Sequence, residues 1–291
     1  MRLNKLVAAI YIPAILFCGS CSPVISESGS GSITGILGAF QREVTMLEGQ
    51  LINAEDREIE GMRFVSGTLE GKRVVIAWTG IGKVNAAMTA TLLIERFRPD
   101  EIIFTGIAGG INPQLAPGDI VIAQQTAHHD MGIMWPDEFQ YRGVVNPLDG
   151  WRNPVFLPAN ERLLELAEKA AKQVTLKTVG TREKQRVLKV VKGVIVTGDV
   201  FVASTEKCNE LRQELGADAV EMEGAAVAQI CYQRRIPHLV VRSISDKGDE
   251  KAREDSMMFQ EMAARNSAIL IAEIVSNIGS ELSAKKSVEP H

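Results

Sequence analysis

From residue 33 onward, the chain alternates between short apolar segments typical of buried β-strands and longer segments whose apolar residues recur at helical spacing. The strand-like segments are 33–39, 101–110, 118–127, 193–199 and 238–246, and the helix-like segments are 41–52, 84–97, 159–174 and 256–279. Segments 62–69 and 72–80, separated by a Glu-Gly pair, predict a β-hairpin. Alternation of this kind predicts a layered α/β domain.

A single domain is expected over residues 33–279. The composition does not change within that range, and the range contains no internal repeat. After residue 279 the sequence is polar, and we expect the tail 280–291 to be disordered. Segment 177–192 is rich in Lys and Arg, which favours a solvated loop or a hairpin insertion. The alternative is a patch that binds nucleic acid or an anionic surface. The net charge of −4 gives no reason to expect nucleic acid as a partner.

The first 21 residues have the pattern of an export signal. Two basic residues precede an apolar run at 6–17, which is too short to span a membrane comfortably and ends at small residues. Cys21, with Gly and Ser before it, resembles the modified cysteine of a bacterial lipoprotein, although Cys18 stands where a Leu is usual. We expect a signal peptide at 1–21, a flexible tether at 22–32, and a protein that is exported and either periplasmic or held by lipid at a bacterial membrane.

The remaining cysteines and the paired histidines do not suggest a disulfide or a metal site. Cys208 and Cys231 are too few for a disulfide framework. His128, His129 and Asp130 are adjacent in sequence, but neighbouring residues on an extended segment point to opposite sides. We therefore expect neither a metal ion nor another cofactor.

Two glycine-rich turns follow predicted strands, "TGIGK" at 79–83 and "TGIAGG" at 105–110. Glycines at such turns let backbone N–H groups approach a small ligand closely. Neither turn has the spacing of a P-loop or of a dinucleotide-binding fingerprint. Because ligands of open α/β sheets bind at the carboxyl ends of the strands, the turns mark a candidate ligand site.

Acidic residues at strand ends are candidates for chemistry, and each has a structural alternative. Asp246 directly follows an apolar strand, where it could instead cap the next element. Glu43 follows the first strand and could be a solvated acid of a first helical turn, and Asp199 could cap or brace a turn. In "AVEMEGAAVA", Glu221 and Glu223 precede an Ala-rich run, where acids also suit the positive end of a helix.

Six motifs, taken in their order and spacing, give these residues more weight. They are "ILGAFQREV", "TGIGKVNAA", "TGIAGG", "TGDVFV", "VEMEGAA" and "RSISD". Over residues 33–279 the chain resembles the purine nucleoside phosphorylase/nucleosidase superfamily, and within it the nucleosidases of 5′-methylthioadenosine and S-adenosylhomocysteine. The resemblance implies a single three-layer α/β domain with a central mixed, twisted β-sheet flanked by helices. It also implies N-glycosidic hydrolysis, with a purine nucleoside as substrate, water as co-substrate and a homodimer as the assembly.

The resemblance assigns chemistry to three of the acids. Glu43 matches the residue that activates water, Asp246 the general acid that protonates the purine at N7, and Glu223 the acid that binds the ribose hydroxyls. Cleavage of a C–N glycosidic bond builds positive charge on the sugar and negative charge on the leaving base, so carboxyl groups at both ends suit it. Burial would raise the pKa of Asp246 and help it donate a proton at neutral pH. Glu221 matches a position without direct chemistry.

The resemblance also implies a set of contacts around these acids. They are Met222 beside the sugar, Phe201 and Val202 at the base, Phe40 and Ile81 near the sugar and its 5′ substituent, Arg242 and Ser245 in support of the water and of Asp246, and Gly109 in the second glycine turn.

Departures from the family pattern leave the reaction and the substrate open. Phosphorylases carry an Arg where this chain has Phe104, which favours hydrolysis over phosphorolysis. Ile107 stands where nucleosidases have a Ser near the water, and segment 128–147 matches poorly on the side of the 5′ substituent. A phosphorylase, another purine nucleosidase such as one for futalosine-type nucleosides, and an exported nucleoside-binding or adhesion protein without catalysis are the alternatives. The water-activating acid argues against the last, because a binding protein does not need it.

Overall fold

The computed structural model describes residues 32–176 and 186–288, which form a mixed sheet with helices on both faces. The strands are β1 (Ile33–Gly38), β2 (Ile52–Ile59), β3 (Met62–Leu69), β4 (Lys72–Trp78), β5 (Glu101–Phe104), β6 (Ile107–Gly110), β7 (Ile120–His128), β8 (Gly132–Met134), β9 (Phe139–Tyr141), β10 (Phe156–Pro158), β11 (Val190–Thr197), β12 (Ala219–Glu221) and β13 (His238–Asp246). The helices are α1 (Gln41–Glu48), α2 (Lys83–Phe97), α3 (Glu161–Ala171), α4 (Thr205–Leu215), α5 (Gly224–Arg234) and α6 (Ala252–Val288).

Strand pairing divides the main sheet into an open half and a closed half. Within the described ranges its order is β10-β7-β11-β12-β6-β13-β5-β1-β4-β3-β2, and β13 also pairs with β7 in antiparallel register from Val241 to Ser243. The second pairing closes β7, β11, β12, β6 and β13 into a small barrel. The strands β4, β1, β5 and β13 are parallel neighbours, so their carboxyl ends lie along one edge.

Helices cover both faces of the sheet because its strands are apolar on both sides. In β1, the neighbouring residues Ile36 and Leu37 are both fully buried and belong to different core clusters. α2 and α5 pack on one face, and α1, α3 and α6 pack on the other. The chain therefore folds into the three-layer α/β domain with a central mixed sheet that the sequence predicted.

The remaining predicted helices and strands are present with small shifts at their ends, but two segments differ from the prediction. The helix predicted at 41–52 ends at Glu48, and Ile52 begins β2, an edge strand that the sequence did not predict. Charged residues dominate β2 and most of them are exposed, so the apolar alternation that marks a strand is missing. The segment 101–110 is two strands, since β5 pairs with β1 whereas β6 pairs with β12 and β13.

The last helix is longer than the sequence predicted. α6 continues to Val288, so the expectation of a disordered tail from residue 280 is wrong for residues 280–288. The sequence after residue 279 includes the good helix formers Glu, Leu, Ala and Lys, and Leu282 packs against the core. Glu281 also pairs with Arg162 of α3 at 2.8 Å, which ties this part of the helix to the domain.

Several sequence predictions fall on residues outside the described ranges. These are the leader and most of the tether (1–31), much of the basic segment (177–185) and the last three residues. The rest of the basic segment joins the sheet, because β11 begins at Val190. None of the helices in the described ranges has the length and apolar character needed to cross a membrane.

Candidate active site

A cavity of about 340 Å³ lies where several strands end. Its walls come from the segments after β1, β4 and β11, from β6, and from the ends of β12 and β13. Ligands usually bind at this edge of an α/β sheet. Nine of the predicted site residues line the cavity: Phe40, Ile81, Gly109, Phe201, Val202, Met222, Glu223, Ser245 and Asp246. The other two, Glu43 and Arg242, are buried and hydrogen-bonded to residues of its wall.

Glu43 lies in the first turn of α1, and only 2% of it is exposed. Its Oε2 accepts the backbone N–H groups of Ala39 at 2.6 Å and Phe40 at 2.9 Å, and its Oε1 accepts that of Ile107 at 3.0 Å. Burial raises the pKa of Glu43, while the charge of Arg242 and the three backbone donors oppose that rise. Because each carboxylate oxygen has two lone pairs, Oε1 keeps capacity for one more donor, as a base that binds water requires.

Asp246 ends β13, in which every residue is buried. The Ser245 hydroxyl donates to its Oδ2 at 2.7 Å, and the backbone N–H of Gly248 donates to its Oδ1 at 2.9 Å. Burial raises the pKa of Asp246, and these two donors oppose the rise. A Cβ built on Gly109 would stand 2.8 Å from Oδ1, so the missing side chain leaves room beside this carboxyl group.

Glu223 occupies the N-cap position of α5, and the first glycine turn binds its side chain. Its Oε1 accepts the backbone N–H of Gly82 at 2.8 Å, so this turn donates to a protein carboxylate. Burial raises the pKa of Glu223 to about 8; the neighbouring Glu221 charge adds to the rise and the Arg242 charge opposes it. Two ribose hydroxyls that donated to Glu223 would favour its ionised form.

Glu221 is the acid to which the sequence gave no role, and it is buried against Arg242. The two side chains pair at 2.7 Å, and the guanidinium lies over the Phe104 ring with its carbon 4.2 Å from the ring centre. The Arg in "VVRSISD" is the residue that could have suggested a buried partner for Glu221. No spacing rule links the two, because they are 21 positions apart.

A second polar cluster ties together three segments next to the cavity. Lys83 Nζ pairs with Asp130 at 2.6 Å, and the backbone N–H of Lys83 donates to Asp199 at 2.8 Å. The backbone N–H of Asp199 in turn donates to Asp130 Oδ2 at 2.9 Å. The interpretation of Asp199 as a residue that braces a turn is therefore confirmed.

Two cavity residues from α6 were not singled out by the sequence. Ser256 and Gln260 are one helical turn apart and both line the cavity. They belong to no motif, and their place depends on how α6 packs across the sheet. Ile107 also lines the cavity. Its backbone N–H donates to Glu43, and this contact does not depend on which side chain stands at position 107.

The paired histidines are buried apart from any group of metal ligands. His128 Nε2 lies 3.1 Å from the side-chain oxygen of Gln229, and His129 packs against Gly198. Burial lowers the pKa of both imidazoles. Across residues 32–176 and 186–288, no three His, Cys, Asp or Glu side chains are grouped closely enough to hold a metal ion.

The cavity therefore brings together three buried acids, Asp246, Glu43 and Glu223, and burial raises the pKa of each. Asp246 can hold a proton for a leaving base, whereas Glu43 and Glu223 can interact with a sugar that becomes positively charged. The apolar side chains of Phe201 and Val202 also line the cavity and offer a surface for a flat base.

The chain is similar in sequence to known proteins over most of their length. The model of the phosphorylase superfamily matches residues 33–276. The 5′-methylthioadenosine/S-adenosylhomocysteine nucleosidase of Psychromonas ingrahamii is 39% identical over 246 residues, which are 84% of this chain and 98% of that protein. The nucleosidase of the same name from Bacillus subtilis is 36% identical over 244 residues, which are 84% of this chain and 98% of that protein.

Solved structures show the same likeness. The nucleosidase of Neisseria meningitidis in complex with methylthio-immucillin-A has a TM-score of 0.72 and 35% identity, covering 84% of this chain and 99% of that one. The futalosine hydrolase of Helicobacter pylori has a TM-score of 0.70 and 32% identity, covering 84% of this chain and 97% of that one.

Proposed function

Because the chain belongs to the phosphorylase superfamily, we propose that it hydrolyses the N-glycosidic bond of adenine nucleosides such as 5′-methylthioadenosine or S-adenosylhomocysteine and releases adenine. The observation that carries the proposal is the convergence of Glu43, Glu223 and Asp246 around one cavity. The named nucleosidases to which the chain is similar support the choice of an adenine nucleoside.

At the base end, Asp246 acts as general acid. The C–N bond breaks, its electron pair goes to the purine, and the proton of Asp246 goes to N7. The raised pKa supports this role because the carboxyl group keeps its proton to higher pH than an exposed aspartate. Ser245 holds the carboxyl group in orientation through its hydrogen bond.

At the sugar end, Glu43 activates the attacking water. The water oxygen bonds to the anomeric carbon, and the proton that it loses passes to Glu43. Glu223 accepts hydrogen bonds from the ribose hydroxyls, and its negative charge stabilises the positive charge that builds on the sugar. Met222, Phe40 and Ile81 surround the sugar and its 5′ substituent.

Hydrolysis is favoured over phosphorolysis by what surrounds Phe104. Position 104 is a fully buried phenylalanine, and its side chain has no cationic group to offer a phosphate. Arg242 is engaged with Glu221 and with the backbone carbonyls of Phe104 and Val241, so its guanidinium is committed to the protein. Water therefore remains the acceptor of the ribosyl group in our proposal.

A panel of purine nucleosides tests the proposal. The purified protein is incubated with 5′-methylthioadenosine, S-adenosylhomocysteine and adenosine, with and without phosphate, and the products are separated. We expect adenine and the free sugar at a rate that phosphate does not change, with Glu43→Gln as the control for contaminating activity. A sugar 1-phosphate would indicate a phosphorylase, and tight binding without release of base would favour a binding protein.

We also propose a homodimer, which the surface at the cavity mouth supports. Ile81 and Phe201 line the cavity, yet about half of each side chain is exposed. Val84 and Met88 are exposed one and two turns further along α2. A second copy of the chain would cover these apolar side chains. Light scattering tests this proposal, since a monomeric mass at micromolar concentration would contradict it.

Export is the final part of the proposal. The pattern of the first 21 residues supports a signal peptide, and Cys21 supports a lipid anchor. We place the enzyme outside the bacterial cytoplasm, in the periplasm or at a membrane.

A further inference from the structure

The carboxylate of Glu221 accepts donors from several parts of the fold. The Thr197 hydroxyl donates to Oε1, and the backbone N–H groups of Glu223 and Gly224 donate at distances of 2.7 to 3.1 Å. Arg242 donates to Oε2 from Nη2 at 2.7 Å and from Nε at 3.2 Å. A carboxylate has about four acceptor sites, so these contacts leave Glu221 little capacity for a substrate.

The charge of Arg242 stands near both acids of the sugar end. Its side chain is 1% exposed, and Nη1 donates to the backbone carbonyls of Phe104 and Val241 at 3.1 Å each. Its positive charge lowers the pKa of Glu43 and that of Glu223. The other two guanidinium nitrogens, Nε and Nη2, are fixed by their hydrogen bonds to Glu221.

We propose that Glu221 is a positioning residue for glycosidic cleavage, which fixes the backbone of Glu223 and the guanidinium of Arg242 relative to Glu43. The inference rests on the proposed function, because it assigns Glu221 to the sugar end of that reaction. Two contacts carry it, the hydrogen bond to the backbone N–H of the ribose-binding acid and the pair with Arg242.

Glu221 also affects the charge balance at Glu223. The charged groups that act on Glu223 are Glu221 and Glu43, which raise its pKa, and Arg242, which lowers it. Glu221→Gln removes one raising charge and leaves Arg242 without its counter-ion, so the pKa of Glu223 falls. Since the ionised form of Glu223 accepts the ribose hydroxyls, the acid limb of kcat/KM then moves to lower pH.

Glu101 provides a matched control away from the cavity. It is 3% exposed, accepts the Thr34 hydroxyl at 2.7 Å and pairs with Arg162. Like Glu221, it is a buried carboxylate with a threonine and an arginine as partners. Glu101→Gln therefore reproduces the loss of a buried charge without touching the candidate site.

The test compares wild type, Glu221→Gln and Glu101→Gln for kcat, KM, thermal midpoint and pH profile. We expect Glu221→Gln to lower kcat about tenfold or more and to move the acid limb to lower pH. We expect Glu101→Gln to lower the thermal midpoint alone. A kcat within about threefold of wild type in Glu221→Gln, or an acid limb that does not move, would overturn the inference and leave the nucleosidase function standing.

A second variant applies if Glu221→Gln does not fold. Thr197→Val keeps the charge of Glu221 and removes one of its donors, so we expect a several-fold lower kcat with the acid limb in place. A kcat equal to that of wild type would overturn the inference. If wild type releases no base from any nucleoside, the proposed function fails and the inference falls with it.

Discussion

The exposure of Asp246 separates it from Asp199, another acid that follows a strand. Asp246 is 2% exposed, whereas the side chain of Asp199, which follows β11, is 48% exposed. Burial disfavours the ionised form of a carboxyl group, so Asp246 keeps its proton to higher pH. A general acid that works near neutral pH needs this property.

Asp246→Asn should lower kcat by a factor of roughly 10² to 10⁴, because the leaving purine then receives no proton from the protein. In wild type, activity should fall as the pH rises through the raised pKa of Asp246, since the protonated form is the active one. The variant should lack this alkaline limb, because Asn does not titrate. Steady-state rates measured between pH 5 and pH 10 check both expectations.

Asp119→Asn is the control for this substitution. Asp119 is fully buried and accepts the backbone N–H groups of Ala116 and Lys189, but it lies outside the residues that line the cavity. Its variant should lose stability and keep kcat. Near-full activity in Asp246→Asn, or an alkaline limb that persists there, would show that another group protonates the base.

At the scale of single residues, the sequence pointed to the candidate site residues that stand in local motifs. Glu43, Glu223 and Asp246 each stand in a short pattern, and the structure brings them to one cavity. The ion pair of Glu221 was not predicted, because it depends on Arg242, which packs against it from another strand. Ser256 was missed because nothing near it in the sequence marks it as part of a cavity.

Among the structural elements, the turns after β4, β7 and β11 are linked by Asp130. It accepts the ammonium of Lys83 and the backbone N–H of Asp199. Gly82, next to Lys83, donates to Glu223, and Phe201 lies two residues after Asp199. Asp130 thus connects the turn that donates to Glu223 with the segment that carries Phe201, which we propose as the contact to the base.

Asp130→Asn should raise KM about three- to tenfold and change kcat little, because it loosens two binding segments without touching the reacting atoms. The ion pair is partly exposed, with side-chain exposures of 18% for Lys83 and 25% for Asp130, so a larger effect is not expected. Glu210→Gln, which breaks the exposed pair with Lys207 on α4, is the matched control and should leave KM unchanged. A large loss of kcat with unchanged KM would contradict this role.

Periodicity predicted the buried elements well and the polar or interrupted ones poorly. The strand predicted at 238–246 is β13, because its run of apolar residues is buried on both faces. β2 was missed because an exposed edge strand has no apolar pattern. The break at Gly106, which moves the chain from the open half of the sheet to the barrel, depends on pairing with strands that come much later in the sequence.

For the whole molecule, the alternation of strands and helices was sufficient to predict the fold class. The closure of the barrel through β7 and β13 was not predictable, because it depends on the register of strands more than 100 residues apart. Within the described ranges, the buried residues of the hydrophobic core run from Ile36 to Ile278. The compact unit that contains this core starts at Ser32, whose backbone carbonyl accepts the Lys72 ammonium at 2.7 Å.

A chain that begins at Ser32 should match the full chain in thermal midpoint and kcat, because it retains every core and site residue described above. Its location should differ. Fractionation of bacteria that express each form should place the full chain outside the cytoplasm and the shortened chain inside it. Cys21→Ser separates the two export routes, since it should move the protein from the membrane fraction to the soluble periplasm if Cys21 carries a lipid. Recovery of the full chain with cytoplasmic markers would contradict the proposed export.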